Sequence, residues 1–332
     1  MNPRGSGRGE RAFAILGFVA LGFALSTSAL ADSRIVRTLS LEPGGRFILS
    51  SKGGSVTVTG SPRSNAVVVI TSKRDDLETK MQFEFEDDGS VARVTACESD
   101  ARRTFWGTMF NWSSDAVEFE YDIRVPFATD LEIDTSRGAV RTFDIRGTVH
   151  LETGAGSIGV RDLAGTVTAE TEVGDITLER IEGDARISAG GGKIRALEVS
   201  GDLFGRTSGG PVEIENVAGD IDVGTAGAPV RIDGAGARVS ARTSGGPMTV
   251  RFAAGNDSGG KLKSYRGGIT VALDSGIDLA IDAHALGGRV RTDLPIRLSG
   301  DATSSRLRGA LGSGGERLTL RCTGGSIVLN PI

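Results

Sequence analysis

Residues 156–183, GSIGVRDLAGTVTAETEVGDITLERIEG, decide the fold. Counting from Gly156, apolar residues stand two, four and seven places on, at Ile158, Val160 and Leu163. Counting from Gly174, the same places hold Ile176, Leu178 and Ile181. A spacing of two is strand alternation, one face inward and the other outward. A second short strand follows each closing glycine, with Val167 and Ala169 after Gly165. Two short strands and two glycine corners therefore fill 18 residues, and the unit repeats.

Working outward, Thr135, Thr153, Thr171, Ala189, Thr207, Thr225 and Thr243 recur at that period, and a glycine follows three places after most of them. A fixed period over seven units is the signature of one small element stacked on itself. No segment carries a 3.6-residue apolar period. The expected fold class is all-β: a parallel β-solenoid (β-helix) of ~18-residue turns whose backbones pair about 4.8 Å apart. On the outward side, Arg195, Glu213 and Arg231 alternate in sign on successive turns. The threonine hydroxyls are expected to satisfy corner amides. After Gly246 the period loosens to 21, at Gly267 and Gly288, and ERLTLRCTGGSIVL at 316–329 reads as a final turn closing the chain. The solenoid repeats are assigned to 131–332.

Residues 32–130 alternate without the strict period and read as an N-terminal antiparallel β-sheet cap. Within it, residues 99–115 form an aromatic loop holding Phe105, Trp106, Met109, Phe110 and Trp112 beside Arg102 and Arg103. Everything from 131 onward has four aromatics, Phe143, Phe204, Phe252 and Tyr265. The loop reads either as a plug on the end of the solenoid or as a contact surface for a partner, a glycan or a membrane face.

Residues 1–31 read as a secretory signal peptide: Arg4, Arg8 and Arg11, an apolar run from Ala12 to Leu25, then Ala29-Leu30-Ala31. Its removal takes away three arginines and one glutamate, changing the formal charge from −4 to −6. Mild acidity points away from nucleic acid. No second apolar run is long enough to span a bilayer, so no transmembrane anchor is expected after cleavage, and the destination is periplasmic or extracellular. Cys97 and Cys322, 225 residues apart, make no disulfide framework.

The chemistry inventory is thin. His150 and His284 lack zinc-ligand neighbours. Asp184, Asp202 and Asp220 follow corner glycines at 18-residue spacing and should stack on adjacent turns. Stacked carboxylates repel unless neutralised, so they are the metal candidates, for calcium with its preference for oxygen ligands. The ordinary alternative is Asp as a corner residue accepting local amides. β-Solenoids also host polysaccharide-acting enzymes, but no pair of carboxylates here can be nominated for acid–base work. The expectation is a protein that is not an enzyme and needs no cofactor.

GGSVTVTG at 53–60, DIRVPFATDLEIDTSRGAV at 122–140, TSGGPVEIENVAGD at 207–220 and GGSIVLN at 324–330 resemble the exported β-strand-repeat family of adhesin-labelled proteins. That family is a domain of unknown function, similar to autotransporter-adhesin heads. The resemblance covers about 40–332. It implies a non-enzymatic cell-envelope protein, a binding or assembly scaffold whose partner is an envelope protein or glycan, with a setting in envelope-stress response among the options. It supplies no catalytic residues.

Overall fold

Alternation along the chain places the apolar side chains between two parallel sheets. The computed structural model describes residues 33–73, 77–98, 118–299 and 303–332. In the turn quoted above, strand Val167–Val173 lies in one sheet, the front, and Ile176–Glu182 in the other, the back. Val167 pairs in parallel with Val149 on one side and Ala185 on the other. Ile176 sits likewise between Ile158 and Ile194. Columns such as Val149, Val167, Ala185, Leu203, Ile221 and Val239 are buried throughout. Each Val, Leu or Ile so buried contributes about 1.5–3 kcal/mol of transfer free energy. The β-solenoid is therefore the observed fold.

Glycine fills most corners, Ala228 being one departure, because the backbones of neighbouring turns touch there. A Cβ on Gly174 would lie 2.0 Å from the Gly156 carbonyl oxygen, and φ is +154°. The threonine column works chiefly through carbonyls. Thr171 Oγ1 donates to Gly156 O at 3.0 Å, Thr207 to Gly192 O at 2.9 Å and Thr243 to Ala228 O at 2.8 Å, each tying one turn to the next. The hydroxyls of Thr207 and Thr243 also accept their own corner amides, from Gly210 and Gly246 at 3.2 Å.

A third column is formed by Asp144, Asp162, Arg180, Glu198 and Asn216, all left-handed with φ of 55–58°. These residues cause the jump from four to seven in the apolar count. One left-handed residue at the same place on each turn shifts the alternation by one, restoring Leu163 and Ile181 to the inward face at a cost of about 1–2 kcal/mol per non-glycine residue.

The stack begins earlier than 131, and its order in space departs from its order in sequence at both ends. Residues 45–51 pair in parallel with Gly89–Glu98 on one side and Thr129–Arg137 on the other. Ser55–Ser61 lies between Phe119–Pro126 and Val140–Arg146. Two parallel turns thus belong to the N-terminal third. The antiparallel strands expected there, Asn65–Ser72 and Met81–Asp87, pair with their outer edges. A T-shaped cluster of Phe83, Phe119 and Tyr121 fills that end, and burial pushes the Tyr121 hydroxyl up.

At the other end, Glu316–Cys322 does not close the stack. It lies between Gly260–Ser264 and Leu279–Ala285, and Ile327–Pro331 likewise between Ile269–Leu273 and Val290–Thr292. The outer edge of Leu279–Ala285 is taken by antiparallel Arg306–Leu311, which leaves only its inner edge for the C-terminal strand. Asp282 joins these layers, contacting Arg321 of the inserted strand at 2.8 Å and Arg308 of the cap at 3.5 Å. The Arg321 hydrogen bond holds the Asp282 carboxyl below its usual range.

Cys97 is exposed and Cys322 buried, and both are free thiols. Among the described residues no helix is long and apolar enough to cross a membrane.

Candidate binding face

The two outward faces handle charge differently. On the back sheet, unlike charges meet on neighbouring turns and along strands. Arg161 contacts Glu179 at 3.1 Å, Lys193 and Arg195 contact Glu213, and Arg231 and Arg251 contact Asp233 at 3.8 Å. Arg180 reaches Asp162 through two nitrogens and holds that carboxyl below its usual range. The charge ladder read from Arg195, Glu213 and Arg231 belongs to this face.

On the front sheet the charges are sorted by position. One outward column runs Asp134, Glu152, Glu170, Ser188, Arg206, Gly224, Arg242, Lys263, Arg321 in spatial order. Carboxylates occupy one end and cations the other. Among the described residues, Glu152, Glu170, Arg242 and Lys263 belong to no ion pair, whereas Arg206 holds Asp222 at 2.8 Å and Arg321 holds Asp282.

Between the two ends lies a groove of about 410 Å³ over the middle turns, lined by Asp184, Arg186, Asp202, Phe204, Asp220 and Asp222, among others. Phe204 is partly exposed at its centre. The Arg186 guanidinium sits 4.4 Å from the ring centre and that of Arg206 4.2 Å. Arg206 is fixed in place by the carbonyl and carboxylate of Asp222, each at 2.8 Å. A ring held by two guanidinium groups is a preorganised contact of the kind that dominates interfaces.

The metal candidates Asp184, Asp202 and Asp220 do stack, along one edge of this groove. Asp184 Oδ1 accepts the Asp202 N–H at 2.8 Å, Asp202 Oδ1 the Asp220 N–H at 2.8 Å, and Asp220 Oδ1 the Arg238 N–H at 3.1 Å. Asp130 does the same for Thr148 at 2.7 Å. Each carboxylate thus ends a free amide on the next turn, which spreads its charge into the backbone. Among the described residues no group of three or more His, Cys, Asp or Glu side chains is arranged to hold a metal ion.

The aromatic loop candidates, Arg102, Arg103, Phe105, Trp106, Met109, Phe110 and Trp112, lie outside the described residues. Sequence reading missed Arg186, Phe204 and Arg206. The available signal was the 18-residue step from Arg186 to Phe204, with Arg206 two places on and so on the same face.

No protein-family model matches the chain. No curated protein matches it either. Among solved structures it is similar to a "putative cell adhesion protein" from Clostridium sporogenes, at 10% identity over 90% of this chain and 100% of that one, TM-score 0.25. It is also similar to a "putative adhesin" from Bacteroides fragilis, at 12% identity, 90% and 97% coverage and TM-score 0.39. A third is a "putative lipid binding protein" from Parabacteroides distasonis, at 10% identity, 90% and 96% coverage and TM-score 0.34. One of the three is named an adhesin and another a cell adhesion protein.

Proposed function

We propose that this is a non-enzymatic, exported cell-envelope protein, an adhesin-like scaffold that works by binding or assembly through its front face. The observation that carries the reading is the Arg186–Phe204–Arg206 stack in a groove flanked by unpaired charge. Stacked turns hold that surface rigid, so contact costs little ordering entropy. The carboxylates lining the groove edge are engaged by backbone amides, a structural use that fits binding better than acid–base chemistry.

The test is co-sedimentation of the purified protein with isolated cell envelopes. An Arg186→Glu, Phe204→Ala variant is compared with a Trp106→Ala, Trp112→Ala variant, after checking that both melt like the wild type. The reading expects the wild type to sediment and the front-face variant to stay in solution. Absence of binding by the wild type, or full binding by the front-face variant, overturns it.

A further inference from the structure

The front face carries both signs of charge, and they are placed symmetrically about its middle strand. The four front strands nearest Leu203–Thr207 on one side run from Ala185–Ala189 to Thr129–Arg137, and the four nearest on the other run from Ile221–Thr225 through Val239–Thr243 and Gly260–Ser264 to Glu316–Cys322, with further strands beyond both. Consider a two-fold axis running along Leu203–Thr207, between two copies packed front to front. Each outward column then faces itself, and each strand faces the one equally far beyond the axis. Glu170 meets Arg242, Glu152 meets Lys263, Asp134 meets Arg321 and Arg186 meets Asp222. Phe204 and Arg206 lie on the axis, each beside its own copy, with the Arg206 charge already held by Asp222 of its own chain.

We infer that the front face binds a second copy of this chain, antiparallel, in a two-fold dimer centred on Phe204. This rests on the proposed reading of the front face as the contact surface, and it names the partner. A closed two-fold interface requires a self-complementary patch, and this column is one. Parallel packing sets Glu170 on Glu170 and Arg242 on Arg242, so repulsion selects the antiparallel arrangement. Nine strands at about 4.8 Å, each about five residues long, present roughly 700 Å² per copy, close to the ~800 Å² typical of a stable interface. The middle turns of the back face, where Arg161, Lys193, Arg195 and Arg251 meet carboxylates of the same chain, offer no such pattern.

The test uses the purified protein alone, by sedimentation equilibrium, with E152K/E170K and R242E/K263E. In a dimer of either variant every reversed position meets a like charge, so self-association is expected to weaken at least tenfold. In an equimolar mixture all four contacts are again between opposite charges, and a heterodimer is expected to form as tightly as the wild-type dimer. Restoration in the mixture also shows that both variants are folded. R231E, on the back face, is expected to leave association unchanged.

A wild type that stays monomeric to about 100 µM, far above the Kd of a standard-size interface, overturns the inference. So does undiminished self-association of either variant, or a mixture that fails to pair. If the wild type is monomeric while front-face variants still lose envelope binding, only the second-copy partner is overturned and the contact-surface reading stands. If dimers form but envelope binding fails, self-pairing stands and the envelope reading falls.

Discussion

The front and back faces are made from the same turns, at the same spacing, over one shared core, yet they use their charges in opposite ways. On the back, Arg161 with Glu179 and Lys193 with Glu213 cancel within one or two turns. On the front, Glu152 and Glu170 stand several turns away from Arg242 and Lys263. Exposed pairs such as those on the back are worth about 0–1 kcal/mol each, so neither arrangement is dictated by folding. A solenoid tolerates any outward sequence that keeps its corners and inward columns. A face whose charges are segregated is available for recognition, whereas charges paired within the chain are not.

Several substitutions probe that division, beginning with what both faces share. Gly174→Ala forces a Cβ into the Gly156 carbonyl and should cost roughly 3 kcal/mol or more, the usual range for overpacking combined with a strained backbone. Gly191→Ala meets nothing within 4 Å and should change denaturant stability by less than about 0.5 kcal/mol. Equal effects from the two would remove the corner contact as the basis of the stack.

Asp282, like Asp222, is a front-face carboxylate already paired. Its folded pKa is depressed, so its contribution is present above the unfolded value of about 3.9 and is lost as pH falls through the lower folded value. Asp282→Asn should cost about 1–2 kcal/mol at neutral pH and flatten the acid limb of the stability profile below about pH 4. An unchanged limb would show that the inserted turn is held by packing alone.

On the back face, Glu198→Gly relieves a left-handed residue and should stabilise by about 0.5–1 kcal/mol, the strain removed less the entropy cost of glycine. The smallest effect on the fold is that of salt. Raising it from 50 to 500 mM should move the melting temperature little, because the back-face pairs are exposed, yet it should weaken self-association through the front face about tenfold.

Much of this architecture is legible in the sequence, and the reasons for the rest are specific. The Thr135-to-Thr243 column and its glycines expose the period because backbone contact at the corner admits few residue types. The left-handed column was legible in principle from the break in parity between Val160 and Leu163, but Asp, Arg, Glu and Asn at those places carry no shared chemistry. The insertion of 316–331 between earlier turns leaves no local trace, since its alternation fits any neighbour. That insertion also hid the front-face pattern. The column joining Glu152 to Lys263 and Arg321 crosses a 21-residue step and then a jump in chain order. Stacking of Asp184, Asp202 and Asp220 follows from the period. Their amide partners depend on a side-chain rotamer, which the period does not set.

The antiparallel dimer is tested by the distance between copies, read from spin labels placed singly at Glu172, Ser208 and Ser244 in a Cys97→Ser background. These positions lie one residue beyond Thr171, Thr207 and Thr243, two turns apart on one column. Antiparallel pairing about Leu203–Thr207 separates equivalent labels by about 10 Å along the stack for every turn away from the axis, twice the strand spacing. The shortest distance is therefore expected at Ser208, with longer and matching distances at Glu172 and Ser244. No distance between copies, or one distance common to all three positions, would contradict it.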